Sequence, residues 1–283
     1  MGETMKINSE SAARSGTDVL SRVLEASGPR PSPPSRQEEK TQYAVRFADR
    51  MAVEMARDLA GRLPGIEATT KRDSPTSKGA KQLDINFSTP KLGLALGISL
   101  KSVHVREQVT KKQSDGTTTK VPGRYTHNLK RNDEELATEA TVYHERQPYA
   151  VMLGVFFLPF ESCTDGRARE PVSSFGSWVR KLRLRTGRSA PDDRASLFEK
   201  VYIALYEPDG SELRFFDVQS APPKNSIPRR DGELSGEDGF PRRLLTYEEF
   251  LEAAYQAYQR RNHTEFRWDD GQVEVLSPDN DDE

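Results

Sequence analysis

Two side chains raise a chemical question before any element is assigned. Asp84 stands in Gln82-Leu83-Asp84-Ile85-Asn86-Phe87, where apolar and polar residues alternate, and Lys101 falls near the end of a second alternating run, Leu94 to Val103. A period of two predicts two strands, joined by the turn-forming Ser88-Thr89-Pro90-Lys91. Asp84 and Asn86 then share the face opposite Leu83, Ile85 and Phe87, while Ala95, Gly97, Ser99 and Lys101 lie opposite Leu94, Leu96, Ile98 and Leu100. A carboxylate on one strand and an ammonium on the next can meet at one end of a hairpin. The carboxylate can bind a hard divalent cation, and the ammonium can orient a water or neutralise charge developing on a phosphate. Phosphodiester hydrolysis needs those parts. Each residue also has a plain structural use, Asp84 as a solvated carboxylate on an amphipathic strand and Lys101 as a guard against edge pairing.

The elements that must hold these residues follow from spacing. Ala44, Phe47, Ala48, Met51, Met55, Leu59 and Leu63 recur at helical intervals over 41–63 and stop at Pro64-Gly65; residues 66–71 suit a short strand. After a basic, Gly/Thr-rich loop over 106–127, Asn132 with Glu135 resembles a capping box opening a helix through Leu136, Ala140 and Tyr143. Tyr149 to Leu158 is a nearly continuous apolar run, the pattern of a strand covered on both faces. Helices are expected over 172–184, 192–204 and 247–261, and a strand over 212–218. The Ser/Pro-rich residues 1–40 read as a flexible arm, with Val19, Leu20, Val23 and Leu24 able to form a turn or two that docks.

Charge is segregated along the chain. The formal net charge is only −2, yet the window Lys81–Arg131 holds ten basic residues and three acids. Arg180, Lys181, Arg183, Arg185 and Arg188 form a second basic cluster with no acid among them, whereas residues 269–283 carry seven acids and no Lys or Arg. Basic windows of this kind suit a polyanion, and nucleic-acid phosphate is the commonest large one. Asn128, Lys130, Arg131, Lys111, Lys112, Arg183 and Arg185 are the candidate backbone contacts.

The order α-β-β-β-α-β over about 41–160, with Asp84 on the second strand and Ser99-Leu100-Lys101 on the third, resembles the PD-(D/E)xK nuclease superfamily. The resemblance implies an α/β, restriction-endonuclease-like core with a mixed sheet flanked by helices, set in a single domain of 41–265. The core would span 41–160 and a C-terminal helical extension 161–265, with an N-terminal arm of 1–40 and an acidic tail of 266–283. It further implies a Mg2+- or Mn2+-dependent endonuclease acting on DNA, in restriction or another defence against foreign DNA, with a defence-system partner protein as a possible companion. Two positions depart from the motif: its leading proline is Leu83, and its second acid falls at Ser99. A neutral hydroxyl cannot replace a carboxylate at a metal. In this superfamily the missing acid is sometimes supplied from a helix, which points to Glu139, or to Glu54 on the first helix. The expected catalytic set is therefore Asp84, Lys101, Glu139 and Glu54, with Asp84 and Glu139 as metal ligands.

Other classes are excluded or kept open by simple observations. Cys163 is the only cysteine, which rules out an internal disulfide framework and suits a reducing, cytoplasmic setting. The histidines lack metal-ligand spacing, and neither a GxxxxGK[ST] loop nor a nucleophile elbow occurs. The apolar run ending at Phe160 is too short for a membrane span of about 20 residues. Two readings without turnover remain: a catalytically silent nuclease-fold module that binds DNA or assembles with partners, and an interaction protein working through its arm and tail. A homodimer is expected if both strands of a duplex are cut, with 247–261 as one possible interface.

Overall fold

The alternating and continuous apolar runs pair into one sheet. In a computed structural model, which describes residues 14–63, 66–70, 83–89, 93–166, 172–220, 227–228, 234–235, 244–261, 265–269 and 272–276, six strands lie in the order β1-β2-β3-β6-β7-β8. Their ranges are β1 Glu67–Thr70, β2 Ile85–Thr89, β3 Gly93–Ser102, β6 Val151–Pro159, β7 Lys200–Tyr206 and β8 Leu213–Asp217. Strands β3, β6 and β7 run parallel to one another and the other neighbours are antiparallel, so the sheet is mixed. A separate hairpin pairs β4 (Gln108–Lys112) with β5 (Thr118–Pro122).

Helices cover both faces. On one, α1 (Gly16–Ser27), α2 (Gln37–Ala60) and α5 (Tyr247–Arg261) enclose a core with Ile85, Phe87, Leu96, Ile98, Leu153 and Val155. On the other, α3 (Leu129–Arg146) and α4 (Ser174–Leu182) pack with Met152, Phe156, Leu158, Val201 and Ile203. The sequence is therefore α/β, with a six-stranded mixed sheet between helical layers. Among the described residues no helix is long and apolar enough to cross a membrane.

Five expectations change. Of the arm expected to be mostly flexible, residues 1–13 lie outside the described residues; the turn expected to dock through Val19, Leu20 and Val23 is the three-turn helix α1, which buries all three, and α2 already begins at Gln37. Burying each such side chain contributes roughly 1.5–3 kcal/mol, and Arg30 fastens the next turn by donating to the His104 carbonyl at 3.0 Å. The region beyond residue 160 is not an appended extension, because β7 and β8 belong to the same sheet as the core strands. Residues 192–199 are not helical. Asp193 instead holds the backbone N–H groups of Ser189 and Ala190 in a turn, and β7 begins at Lys200, where Val201-Tyr202-Ile203 favours a buried strand. The loop expected over 106–127 contains the β4–β5 hairpin, which has no apolar alternation to announce it. At the far end, Glu265–Asp269 pairs with Gln272–Leu276 inside the segment read as an acidic tail, and the last seven residues lie outside the described ones.

Candidate active site

Asp84 sits just before β2, and its neighbour decides its direction. Leu83 does not share a face with Ile85 and Phe87: it packs into the opposite core, where a Cβ on Gly97 would come within 2.6 Å of its Cδ1. Strand alternation therefore breaks at 83–84. The Asp84 carboxylate turns onto β3 and accepts the Leu100 N–H at 2.6 Å, continuing by side chain the ladder that β2 begins at Ile85. Gly97 is required for this arrangement, since Leu83 and Met152 fill the space its side chain would need.

Ser99 and Lys101 lie on the face of β3 that meets α3. Glu139, on α3 between Leu136 and Ala140 and only 3% exposed, takes the Ser99 hydroxyl on Oε2 at 2.5 Å and the Lys101 ammonium on Oε1 at 2.7 Å. A buried carboxylate is costly unless paired and hydrogen-bonded, and this one is both. The two acids thus touch three successive residues of β3, Glu139 at Ser99 and Lys101 and Asp84 at Leu100.

In front of this strand opens a cleft of about 370 Å³. Its walls include Asp84 and Lys101 from the sheet edge, Asp49 from α2, His127, and Arg131 and Glu135 from α3. At its back His104 is fully buried, its Nδ1 2.6 Å from the Tyr206 hydroxyl and its ring against Phe47. Burial pushes this imidazole down to about 3, with the nearby Arg30 charge acting in the same direction, so it is neutral around neutral pH.

Glu54 is turned elsewhere. Its carboxylate forms ion pairs with Arg14 and, at 3.4 Å, with Arg57, fastening the start of α1 to α2. The acid of α2 that does line the cleft is Asp49. Five residues separate the two, and at 3.6 residues per turn they project about 140° apart. The signal that could have found Asp49 is its spacing of four from Val45 and eight from Thr41, both of which also line the cleft. Glu135 does not form half of a capping box. Helix α3 instead begins at Leu129 behind Asn128, whose φ of 60° is the only positive value for a non-glycine among the described residues. Glu135 then lies on the second turn, 2.9 Å from Arg131 Nε.

The candidate nucleic-acid contacts divide sharply. Asn128 and Arg131 line the cleft, Lys130 is 86% exposed, and Lys111, Lys112 and Arg183 are exposed. Arg185 is not available in the same way: its Nε and Nη2 hold Asp133 at 2.6 and 2.9 Å, and Lys181 adds a third contact at 3.0 Å. Burial pushes the Asp133 carboxyl up, and the bonds and charges of Arg185 and Lys181 outweigh it, leaving the group below the usual carboxylate range. Arg188 is consumed likewise by Glu199 at 3.0 Å.

A hard cation needs only one or two carboxylates here, because Mg2+ keeps several waters and takes the rest of its shell from substrate phosphate. Asp84 lines the cleft and is available to such a cation, whereas Glu139 stands behind Lys101 with both oxygens engaged and would have to release Ser99 or Lys101 to join it. No three His, Cys, Asp or Glu side chains among the described residues converge on one point. No family model, curated protein or solved structure matches this chain.

Proposed function

We propose that this chain is a metal-dependent endonuclease that hydrolyses DNA phosphodiester bonds, built on the PD-(D/E)xK plan, with restriction or defence as the corresponding setting. The observation that supports it is the Ser99–Glu139–Lys101 arrangement: a carboxylate of α3 stands in hydrogen-bond contact with both the hydroxyl at strand position 99 and the lysine. In this reading Asp84 and Glu139 hold Mg2+ or Mn2+, which when bound polarises the scissile phosphate and lowers the pKa of a water. Lys101 orients that water for in-line attack and offsets charge on the phosphorane-like transition state. Asn128 and Arg131 on the cleft wall hold the flanking backbone, with Lys130 beside them.

The test is cleavage of supercoiled plasmid and phage DNA with Mg2+, with Mn2+ and with EDTA. Cutting is expected only with metal, and Asp84→Ala, Lys101→Ala and Glu139→Ala should each lower it by about 10²–10³-fold. The double variant Glu139→Ala with Ser99→Glu returns the acid to the strand and should recover part of the loss. The engagement of both Glu139 oxygens by Ser99 and Lys101 favours a second reading, a silent DNA-binding module. Metal-independent binding with no cutting of any substrate would select it and overturn the first.

A further inference from the structure

The β4–β5 hairpin carries Lys111, Lys112 and Lys120 at an exposed surface, and its base is held by buried hydrogen bonds. At the base, Gly123 N–H donates to the Glu107 carbonyl at 2.6 Å. Tyr125 is 1% exposed and its hydroxyl donates to Glu161 at 2.8 Å, while Arg106 reaches the same carboxylate at 3.3 Å and lies over the Tyr125 ring at 5.1 Å. Trp178 Nε1–H donates to the Tyr125 carbonyl at 2.8 Å from the buried side of α4. Both chain ends of the hairpin enter the body at the cleft wall, through Val103–Val105 on one side and His127–Asn128 on the other.

Beyond that base the strands carry little packing. Every residue of β4 is exposed, and β5 alternates exposed and half-buried. The register pairs Thr110 with Lys120 and Lys112 with Thr118, so one face of the ribbon carries Gln108, Thr110, Lys112, Thr118 and Lys120. Lys111 lies on the other face, beside Thr119 and near Val109 and Val121. The single acid of the ribbon, Asp115, is at the tip, where hydrogen bonds from the Thr117 hydroxyl and N–H hold its carboxyl below the ordinary range and keep it turned into the turn.

We infer that this ribbon is a recognition arm that enters the major groove of double-stranded DNA beside the cleft. The inference rests on the reading of the cleft as a phosphodiester site and adds the form of its substrate. Two observations select the duplex. A two-stranded ribbon fits the B-form major groove, about 12 Å wide, and five paired positions give an arm roughly 17 Å long. Residues 108–122 contain no Phe, Tyr or Trp, so the arm lacks the stacking platform on which single strands are held. The deep, narrow major groove of an RNA duplex would exclude it. Lysine, threonine and glutamine on one face are donors suited to phosphate oxygens and base edges.

Binding is measured by fluorescence anisotropy of a labelled 20-bp DNA duplex, its single strand and the matching RNA duplex, at several salt concentrations. EDTA is present throughout, so that binding is read whether or not the protein cuts. The variant is Lys111→Gln/Lys112→Gln/Lys120→Gln in the full chain, with an unchanged thermal midpoint as the folding control. The expected result is a loss of at least about tenfold on the DNA duplex and a salt slope shallower by about 2 to 3, near 0.9 per lost phosphate contact. The single strand and the RNA duplex should change by less than about twofold. Equal loss on all three forms would overturn the inference by making the ribbon an unselective positive surface. No loss on the DNA duplex would overturn it by removing the contact. Absence of cleavage with hairpin-dependent duplex binding would instead overturn the proposed activity and leave the arm.

Discussion

The two basic segments look alike as sequence and differ in what surrounds them. In the first, Lys111, Lys112 and Lys130 project into water. In the second, Lys181 and Arg185 close on Asp133 and Arg188 closes on Glu199, acids 52 and 11 residues away from Arg185 and Arg188. A run of like charge therefore shows only that no neutralising residue is near in sequence. Whether the charge is available to a partner depends on which distant acid the fold brings to it. Here α3 supplies an acid to each segment, Glu139 to Lys101 on β3 and Asp133 to Arg185 just after α4.

The largest effect expected outside the cleft comes from breaking an inward cation. Arg185→Ala leaves Asp133, 2% exposed, with Lys181 alone. Stability should fall by about 3 kcal/mol, because removing one partner leaves a buried charge poorly compensated. Denaturant unfolding measures this, and DNA affinity per folded molecule should not change.

The acid limb of the stability profile reads the same pair. A carboxyl lowered in the folded state contributes stability that is fully present above its unfolded value of about 3.9 and is lost as pH falls through the lowered folded value. In Arg185→Gln the folded carboxyl rises, so acid unfolding should begin at higher pH than in the wild type. An unshifted acid limb would show that Lys181 alone holds Asp133 ionised. The smallest effects belong to the outward cations. Lys130→Ala and Arg131→Ala should each leave stability within about 0.5 kcal/mol, and each should flatten the salt slope of DNA binding by about 1. A comparable flattening in Arg183→Ala would mean that the second segment retains one outward contact.

Much of the architecture is written in local periodicity. The helical spacing through Phe47, Met51 and Met55, and through Phe250, Leu251 and Ala254, matches buried faces of α2 and α5, and the unbroken apolar run beginning at Val151 is a strand buried on both sides. Periodicity could not show which face of α2 would be turned to the cleft. That depends on α1 docking through Arg14, which takes Glu54 and leaves Asp49 on the other side. The hairpin was hidden because Thr, Lys and Gln carry no apolar pattern. The direction of Asp84 was hidden because it is set by a break in alternation at Leu83, where tertiary packing against Gly97 outweighs the strand rule. At the site itself, Asp84, Lys101 and Glu139 could be nominated from residue type and element order, but the hydroxyl link from Ser99 to Glu139 spans 40 residues and only the packed helix reveals it.

The strand β6 sends Val151, Leu153, Val155 and Phe157 into one core and Met152, Phe156 and Leu158 into the other. It is a common wall, and neither compartment can lose it and remain closed. The two halves of the molecule are thereby bound to melt as one cooperative unit. Thiol labelling of buried Cys163, which sits in the second compartment, should then keep time with exposure of the first.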